Sequence, residues 1–353
     1  NDLASITQEG WTKIQNGEIT GSDKSFSNKN YYIFNGRALG SLVRSDITFE
    51  WFNIAALILL QNKAELSIQN FQNVSSSWLT CGPPDIFSSI SHVAIGALRT
   101  AWFTKWKRGM RIRPEVLAQR INLAFSLKNN SEIASKLTNF DPIFNMSQSY
   151  IDILNLVKKF NNETTSQYNK DKKEEDKIKT EDYLLQLLYP EGSPIHPSWP
   201  AGHATISGAC VTILKAMFKT HEYSEETGYT PIKWNTLKNS NGQNLKPLIA
   251  SYNGEKLENY NEIDKEDITI IGELNKLASN ISLGRDWAGV HYRCDSVCGI
   301  LAGETFAISY LQSKILEYSE RFPLIEYFFL QRFDGTFIKI YKDRIQTLNE
   351  ISN

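Results

Sequence analysis

The segment from Pro84 to Arg108, PDIFSSISHVAIGALRTAWFTKWKR, limits the fold more than any other part of the sequence, because it predicts one long helix. It begins with Pro84 and Asp85, a favourable pair for a first helical turn, and it continues to Gly109 without a strong breaker. Further helices are predicted for segments that begin at Asp46, Pro114, Gln148, Leu184, Ala201, Lys265 and Cys294. Helices therefore dominate the predicted structure.

The C-terminal part is the exception to this helical pattern. Asp334-Gly335 stands between two runs of aromatic and β-branched residues, which is a strong hairpin signal. The sequence predicts an all-α helical bundle closed by one small C-terminal β-hairpin. We expect a single domain over residues 1–353, in which the charged stretch 161–182 and the Asn-, Gly-, Lys- and Glu-rich stretch 222–264 are surface loops.

Charge and hydropathy exclude several classes of partner. Lys and Arg number 38, and Asp and Glu number 39, so the formal net charge is −1 and no nucleic-acid or anionic-membrane partner is expected. The longest apolar run, IAALILL from Ile54, is far shorter than the ~20 residues of a membrane span. No signal peptide is visible in the given chain, which starts at Asn1, and the compartment stays open, secreted and periplasmic locations included.

The first cluster that can carry chemistry is KWKRGMRIRPE, residues 105–115. It places five positive charges in nine positions with no acid among them: Lys105, Lys107, Arg108, Arg111 and Arg113. One interpretation is a solvated basic helix end, where positive charge is favourable. A helix face with Trp102 and Trp106 nearby is poorly suited to contact with solvent. An arginine directly before Pro114 is held out of the helical region of backbone conformation. These features count against a purely solvated face, and for this cluster alone both interpretations stay open.

The second cluster is HPSWPAGHATISGAC, residues 196–210, which has two of the five histidines within eight residues. Gly202 lets the backbone N–H approach a ligand, and His203 lies in the first turn of a predicted helix. A helix start with small residues is a natural oxyanion site, because unpaired N–H groups point outward there. The alternative is that His196 and His203 only cap and fill a loop.

The third cluster is LGRDWAGVHYRCD, residues 283–295. Arg285 and His291 are six positions apart, and Asp295 follows the histidine by four. On a helix His291 and Asp295 would share a face, so the carboxylate could orient the ring or stabilise its protonated form. The alternative is a surface arginine and a core histidine.

Together the three clusters fit a tetrahedral, phosphate-shaped oxyanion. Guanidinium groups, an ammonium group, a backbone N–H and two imidazoles are the donors that such an anion needs. One histidine can bond to or attack the central atom, while the other donates or accepts a proton on the opposite side. The residues therefore predict an oxyanion site at helix ends.

These clusters, in this order, resemble the vanadium-dependent haloperoxidases, whose oxyanion site is shared with the type-2 phosphatidic acid phosphatase superfamily. The algal and bacterial bromoperoxidase branch is most similar, because Lys105 and Arg113 are eight apart, whereas chloroperoxidases and phosphatases have this pair seven apart. HPSWPAGHAT and LGRDWAGVHYRCD are similar to the branch's His-Pro-Ser and Gly-Val-His-Tyr-Arg elements. Flanking stretches extend the similarity from about Asn35 to the C-terminal hairpin: NGRALGSLVRSD, GELNKLASNISLGR and LAGETFAISYL.

The resemblance implies a role for each matching residue. His291 would be the axial ligand of vanadium, and His203 the acid–base group beside the apical oxygen. The groups that would neutralise the equatorial oxygens are Lys105, Arg113, Arg285 and the Gly202 amide. His196 and Trp102 would shape the halide pocket. Lys105 would also act on the peroxide oxygen that the halide attacks. Asp46 is a candidate partner of Arg113, and Asp295 a supporting residue.

One position departs from the family pattern. Ala201 stands where the family usually has serine, and this removes a hydroxyl donor to an equatorial oxygen. The loss of one hydrogen bond to a charged group should cost about 1.5–3 kcal/mol of oxyanion affinity. The charged ligands remain, so cofactor binding is still expected.

The function implied by the resemblance is a vanadate-dependent haloperoxidase. Such an enzyme would oxidise bromide or iodide with hydrogen peroxide to a hypohalous acid equivalent, which halogenates small organic substrates. Phosphate could occupy the vanadate site, and a homo-oligomer, a dimer or larger, is expected. Two alternatives stay open: a phosphomonoesterase that uses His291 as nucleophile, and an inactive phosphate- or vanadate-binding homologue.

Overall fold

The computed structural model describes residues 7–18, 30–47, 49–67, 80–127, 147–177, 182–319 and 325–348. These residues are mainly helical with small antiparallel strand groups, which confirms the predicted helical class. Their contacts divide the chain into two compact units, where the sequence predicts one domain. Unit 1 comprises residues 1–29, 110–198 and 285–292, and unit 2 comprises residues 30–109, 199–284 and 293–353.

The elements are numbered in chain order. The α-helices are α1 (Gln8–Gln15), α2 (Gly36–Leu42), α3 (Glu50–Gln61), α4 (Pro83–Thr104), α5 (Pro114–Leu127), α6 (Gln148–Asn169), α7 (Gly202–Met217), α8 (Ile270–Trp287) and α9 (Arg293–Ser319). The strands are β1 (His221–Ser224), β2 (Gly228–Pro231), β3 (Leu248–Ala250), β4 (Leu257–Asn259), β5 (Phe328–Gln331), β6 (Phe337–Ile340) and β7 (Ile345–Leu348). Within the described residues, no helix combines the length and apolar content that crossing a membrane requires.

The two stretches predicted as loops contain regular structure. Helix α6 continues to Asn169, and two of its polar residues in this stretch, Asn161 and Thr165, are buried instead of being solvated. The buried Asn161 donates from Nδ2 to the carbonyl oxygens of Asp182 (3.1 Å) and Leu184 (2.9 Å). In residues 222–264, antiparallel pairing of β1 with β2 and of β3 with β4 forms two hairpins. Residues 178–181 lie outside the described part.

The prediction of a short helix that begins at Leu184 is wrong. Residues 183–187 have no regular secondary structure, although Leu184 and Leu187 are buried. The N–H of Leu188 donates to the carbonyl oxygen of Ala288 at 3.4 Å, in place of a helical bond. A helix ending before Pro190 would have too few turns to offset the cost of its nucleation.

In unit 2, helix α7 packs mainly against α9 and α4, and all its residues from Ala204 to Met217 are buried. The small residues of α7 allow this packing, as the sequence predicts. A Cβ atom on Gly208 would lie 2.0 Å from the carbonyl oxygen of Ile300, and one on Gly303 would lie 1.9 Å from that of Thr205. The two backbones touch where neither helix has a side chain.

We expect Gly208→Ala to destabilise the protein by about 2–3 kcal/mol, because the added methyl group must separate two helices that touch through backbone atoms. Gly202→Ala is the matched control on the same helix, since its Cβ would meet only the Leu98 side chain at 3.6 Å. Urea unfolding followed by circular dichroism measures both. Equal stability of the two variants would contradict this description of the contact.

The predicted C-terminal hairpin is present in unit 2. Strands β5 and β6 pair antiparallel on either side of Asp334-Gly335, and Gly335 has a φ of +89° that favours glycine. The carboxylate of Asp334 accepts a hydrogen bond from the N–H of Thr336 at 3.0 Å. Strand β7, with three of its four residues exposed, adds a third strand beside β6 that the sequence does not predict.

Candidate functional site

The predicted site residues are distributed over both units. Unit 1 contains Arg113, His196, Arg285 and His291. Unit 2 contains Asp46, Trp102, Lys105, Ala201, Gly202, His203 and Asp295.

In unit 1, the guanidinium group of Arg113 is the centre of a hydrogen-bond cluster. Its Nη1 atom lies 3.1 Å from Nε2 of His291 and donates to the carbonyl oxygen of Val290 at 2.8 Å. Its Nη2 atom lies 3.0 Å from Nδ1 of His196, and Nε donates to the His196 carbonyl oxygen at 2.9 Å. Arg113 and His291 are each 6% exposed. The structure thus brings together three motifs that lie far apart in sequence.

The contact with Arg113 determines which nitrogen of His291 is unprotonated. A guanidinium group has only donors, so Nε2 must accept with its lone pair and the ring proton is on Nδ1. An unprotonated nitrogen is what a histidine needs to bind a metal. His291 therefore presents its ligating atom beside an arginine that can contact an anion.

Arg285 is held at the end of α8 by a residue that the sequence analysis missed. Its Nη1 atom donates to the hydroxyl oxygen of Tyr189 at 3.3 Å, and its guanidinium carbon lies 5.3 Å from the centroid of that ring. After α8, a turn closed by the N–H of Gly289 and the Asp286 carbonyl oxygen leads to His291. Gly289 has a φ of +79°, which explains the glycine at this position.

Glu115 is a second residue of unit 1 that the sequence analysis did not single out. It is buried, and its carboxylate accepts hydrogen bonds from the hydroxyl (2.9 Å) and the N–H (3.2 Å) of Ser193. These bonds fix the loop that leads to His196. Its position directly after Arg113 and Pro114 in the basic cluster is the sequence feature that could have identified it.

In unit 2, α4 changes into a π-helix over Lys105–Gly109. A π-helical turn rotates the side chains that follow, and such turns are frequent at functional sites. Lys105 is 1% exposed, whereas Lys107 and Arg108 are exposed. The solvated-helix interpretation of the basic cluster thus holds for those two residues and fails for Lys105.

Trp102, predicted in the halide pocket, lies on α4 one turn before Lys105. Its ring centroid is 6.4 Å from that of Trp106. Both tryptophans are more than 40% exposed, so the neighbouring aromatic rings form an accessible surface of unit 2 beside a buried lysine.

The small-residue turn places Ala201 at the N-cap of α7 and Gly202 at its first position. The N–H of Ala201 donates to the Asp295 carbonyl oxygen at 3.1 Å, which fixes the helix start. The first N–H groups of a helix lack intrahelical acceptors, and among the described residues no side chain caps this start. These are the features of an anion-binding helix terminus.

The structure gives Asp46 a different partner from the one predicted. Its Oδ1 atom lies 2.9 Å from Nε2 of His203, and Oδ2 accepts from Nε1 of Trp51 at 3.1 Å. The prediction that pairs Asp46 with Arg113 is therefore replaced by a histidine–carboxylate pair within unit 2. Because an ionised carboxylate only accepts, Nε2 of His203 carries a proton and Nδ1 is the atom that can exchange one.

We expect the Asp46–His203 pair to stabilise the protein in a pH-dependent way. Burial raises the pKa of Asp46, but the hydrogen bond and charge of His203 and the bond from Trp51 outweigh it and lower the pKa. A lowered pKa means that the stabilisation is present above the usual Asp pKa of about 4 and is lost as pH falls through the folded value.

Asp46→Asn is the variant that tests this pair. It should lower the free energy of unfolding by about 1–2 kcal/mol at pH 7, and the difference from the wild type should shrink below about pH 4. Urea unfolding at a series of pH values measures it. Asp171→Asn, at an exposed position, is the matched control. A constant difference across pH would disprove the role of the Asp46 charge.

The helical spacing predicted for His291 and Asp295 does not exist. Helix α9 begins at Arg293, so His291 lies in the turn that precedes it. The prediction assumed that both residues lie on one helix. The turn at Gly289 and the start of a new helix after it interrupt that helical spacing. Asp295 is fully buried in the first turn of α9.

The donor set fits an oxyanion in each unit. Unit 1 supplies two buried guanidinium groups and an imidazole nitrogen whose lone pair faces Arg113, and the Arg113 bonds described above go to neutral groups. Unit 2 supplies a buried ammonium group, an uncapped helix start and a histidine–carboxylate pair. Cationic donors of this kind are suited to vanadate or phosphate, and the unprotonated Nε2 of His291 is suited to vanadium itself.

Comparisons with known proteins agree with this chemistry. A family model described as the VCPO second helical-bundle domain matches residues 154–315. The chain is 32% identical over 311 residues, 86% of its length, to the vanadium-dependent bromoperoxidase of Corallina officinalis. It is 28% identical over 349 residues, 96% of its length, to that of Ascophyllum nodosum.

The chain spans about half the length of these curated relatives, 46% and 54% respectively. A solved structure, the homohexameric second vanadate-dependent bromoperoxidase of Ascophyllum nodosum, has a TM-score of 0.74 and 23% identity. The match covers 98% of this chain and 55% of that one, so the two share a fold. By its sequence relatives and its fold, the chain belongs to the vanadium haloperoxidase family.

Proposed function

We propose that this protein is a vanadate-dependent haloperoxidase that oxidises bromide or iodide with hydrogen peroxide. The observation that carries the proposal is the contact of the Arg113 guanidinium group with Nε2 of the buried His291, 3.1 Å apart. It joins an anion-binding group to an unprotonated ligating nitrogen. The names of the bromoperoxidase relatives support the same activity.

The proposed binding roles follow from the chemistry of each side chain. His291 would bind vanadium through Nε2. Arg113, Arg285 and Lys105 would compensate the charge of the oxygens, and the N–H of Gly202 would donate to one of them. When bound, vanadate supplies a Lewis-acidic centre that activates hydrogen peroxide for attack by a halide.

His203 is proposed as the group that moves protons. Asp46 holds Nε2 of its ring at 2.9 Å, which fixes the ring orientation and stabilises its protonated form. Nδ1 is then the atom that takes a proton from incoming hydrogen peroxide and returns it to the product. Since Asp46 itself is buried and hydrogen-bonded to Trp51, this orientation is held by two bonds.

The remaining predicted roles concern substrates and assembly. We propose that Trp102 and His196 contact the halide, and that the product halogenates small organic molecules. His196 is hydrogen-bonded to Arg113, so a change at this ring would act on the anion-binding guanidinium group as well. A homo-oligomer is proposed because the Ascophyllum structure of the same fold is homohexameric.

One assay separates the proposed activity from its alternatives. The purified protein is incubated with vanadate, hydrogen peroxide and either bromide or iodide, and monochlorodimedone loss or triiodide formation is recorded. In parallel, p-nitrophenyl phosphate hydrolysis is measured without vanadate. Halide oxidation that requires vanadate supports the proposal. Phosphate ester hydrolysis alone selects a phosphomonoesterase, and inactivity in both assays selects a protein that only binds the oxyanion.

We expect Ala201→Ser to tighten vanadate binding about tenfold or more, because a hydroxyl at the N-cap of α7 can donate to an oxyanion oxygen. Ala201 is fully buried at this N-cap. A titration of vanadate into the protein followed by ⁵¹V NMR gives the dissociation constant. Ala204→Ser, in the first turn of the same helix, is the control. Unchanged affinity with raised thermal stability would mean that the serine only caps the helix.

A further inference from the structure

A cavity of about 650 Å³ lies in unit 2, where the end of α7 meets strands β1 and β2 and the C-terminal sheet. Its volume falls within the range of roughly 300–1,000 Å³ that is typical of small-molecule sites. The vanadate chemistry proposed above uses none of the residues that line it. The cavity therefore needs an explanation of its own.

Lys215 on the last turn of α7 is the most unusual residue of this cavity. It is 1% exposed, and within the described part of the chain its Nζ atom has no hydrogen-bond partner. Nζ lies 3.6 Å from the centroid of the Phe333 ring. Burial lowers the pKa of Lys215 to about 7, although the charges of Glu304 and Asp334 raise it. An ammonium group is rarely buried without an acceptor.

Glu304 does not supply the missing acceptor. Its Oε2 atom accepts from Nε of Arg332 at 3.0 Å, and its Oε1 atom accepts from the N–H of Phe333 at 2.8 Å. Arg332 thus compensates the charge of this buried carboxylate. Lys215 lines the cavity, and its Nζ is a buried donor without a hydrogen-bond partner among the described residues.

His221 provides a second such atom. It is buried, its Nδ1 lies 3.0 Å from the Thr220 hydroxyl oxygen, and its Nε2 has no partner among the described residues. Burial, with the charge of Lys215, lowers the pKa of His221 to about 4, so the ring is neutral at pH 7. When the Thr220 hydroxyl donates to Nδ1, Nε2 carries the proton and becomes a donor. Buried polar atoms are usually satisfied, and this cavity has two that are not.

The walls of the cavity are aromatic and its charges are positive. The Tyr229 ring stacks on Phe329 with centroids 4.7 Å apart, and further rings of β1 and β5 line the cavity. The described lining residues include Lys215, Lys219 and Lys339 and no Asp or Glu. Lys219 is paired with two glutamates, and Lys339 lies over a tyrosine ring. Lys215 is the lining cation that has no acidic or hydrogen-bond partner among the described residues.

We propose that this cavity binds a small aromatic carboxylate, with its anionic group at Nζ of Lys215 and Nε2 of His221 and its ring against Tyr229. A carboxylate has two acceptor oxygens for these two donors and supplies the charge that a buried ammonium group lacks. An aromatic ring suits walls that already contain stacked aromatic side chains. The proposal is independent of vanadate binding and is tested without vanadate.

The test is calorimetric titration of the full chain with 4-hydroxybenzoate. Three probes each lack one feature of it: 4-hydroxybenzyl alcohol has no charge, acetate has no ring, and 4-hydroxybenzylamine has the opposite charge. We expect 4-hydroxybenzoate to bind at least tenfold more tightly than each of them. No heat of binding up to about 10 mM 4-hydroxybenzoate would overturn the proposal, and equal affinity for acetate would refute the role of the aromatic walls.

Two variants connect binding to the named atoms. Lys215→Met keeps the length of the side chain and removes the amine, and His221→Phe keeps the ring and removes Nε2. Each should weaken 4-hydroxybenzoate binding about tenfold or more. Lys246→Met, at an exposed position outside the cavity, should leave binding unchanged. If Lys215→Met does not fold, His221→Phe decides, and wild-type affinity in either folded variant overturns the proposal.

Proton uptake gives a readout that a purely structural role of Lys215 would not change. The charged groups that influence Lys215 are Glu304 and Asp334, and His221 is the neighbouring titratable group. A bound carboxylate stabilises the ammonium form, so at pH 8 binding should take up protons. Titrations in two buffers of different ionisation enthalpy detect this uptake. Its absence in the wild type would contradict an ion pair with Lys215.

Discussion

His291→Ala is expected to remove bound vanadate and, with it, vanadate-dependent halide oxidation. In the proposed site, Nε2 of His291 is the ligand that bonds to vanadium. The arginine, lysine and backbone donors contribute only hydrogen bonds and charge. We therefore expect vanadium content below the detection limit after dialysis, together with at least a hundredfold loss of halide oxidation.

The measurement combines metal content with activity on the same sample. The protein is loaded with vanadate, dialysed, and analysed for vanadium by mass spectrometry before the halide assay. His92→Phe is the matched control, because His92 lies on α4 and its ring stacks on Tyr310 with centroids 5.0 Å apart. Stoichiometric vanadium and full activity in His291→Ala would refute the assignment. Circular dichroism verifies that both variants are folded.

The sequence predicts the residues of the candidate site better than their partners. Arg113, His196 and His291 are named by motif, and the structure brings their side chains together in unit 1. Motifs are read within short segments, so contacts between distant segments escape them. The Asp46–His203 pair spans 157 positions, and the Arg285–Tyr189 bond spans 96.

The fold shows the same division between local and non-local information. The presence of helices α4, α8 and α9 follows from the sequence, although α8 begins at Ile270 and not at the predicted Lys265. The continuation of α6 to Asn169 does not, because it depends on bonds from Asn161 to residues beyond the helix. Polar side chains in a charged stretch predict solvent exposure, unless tertiary partners accept their hydrogen bonds, as they do for Asn161.

Lys215→Met is expected to stabilise the protein by about 2–4 kcal/mol at pH 7, an unusual sign for a buried substitution. In the folded state burial lowers the pKa of Lys215 to about 7, whereas in the unfolded chain it is near 10.4. Below pH 7 the folded protein therefore carries the full cost of a buried ammonium group. The contact of Nζ with the Phe333 ring offsets part of this cost.

The pH dependence distinguishes this cause from better packing of methionine. Between about pH 7 and pH 10.4 the unfolded state binds more protons at this residue, so wild-type stability should rise with pH. The gain from Lys215→Met should accordingly decrease from pH 7 to pH 9.5, as measured by urea unfolding. Lys246→Met should show no such trend. A gain that does not change with pH would mean that the charge of Lys215 is not its source.

A destabilising lysine at a cavity is consistent with a ligand that needs it. If an aromatic carboxylate binds there, 4-hydroxybenzoate should raise the thermal stability of the wild type, because it binds the folded state alone. The more stable Lys215→Met variant should gain much less from the same ligand. Removing the amine of Lys215 should therefore have two opposite effects: it stabilises the free protein and reduces the stabilisation by ligand. Equal stabilisation of both proteins by 4-hydroxybenzoate would separate the lysine from the binding site.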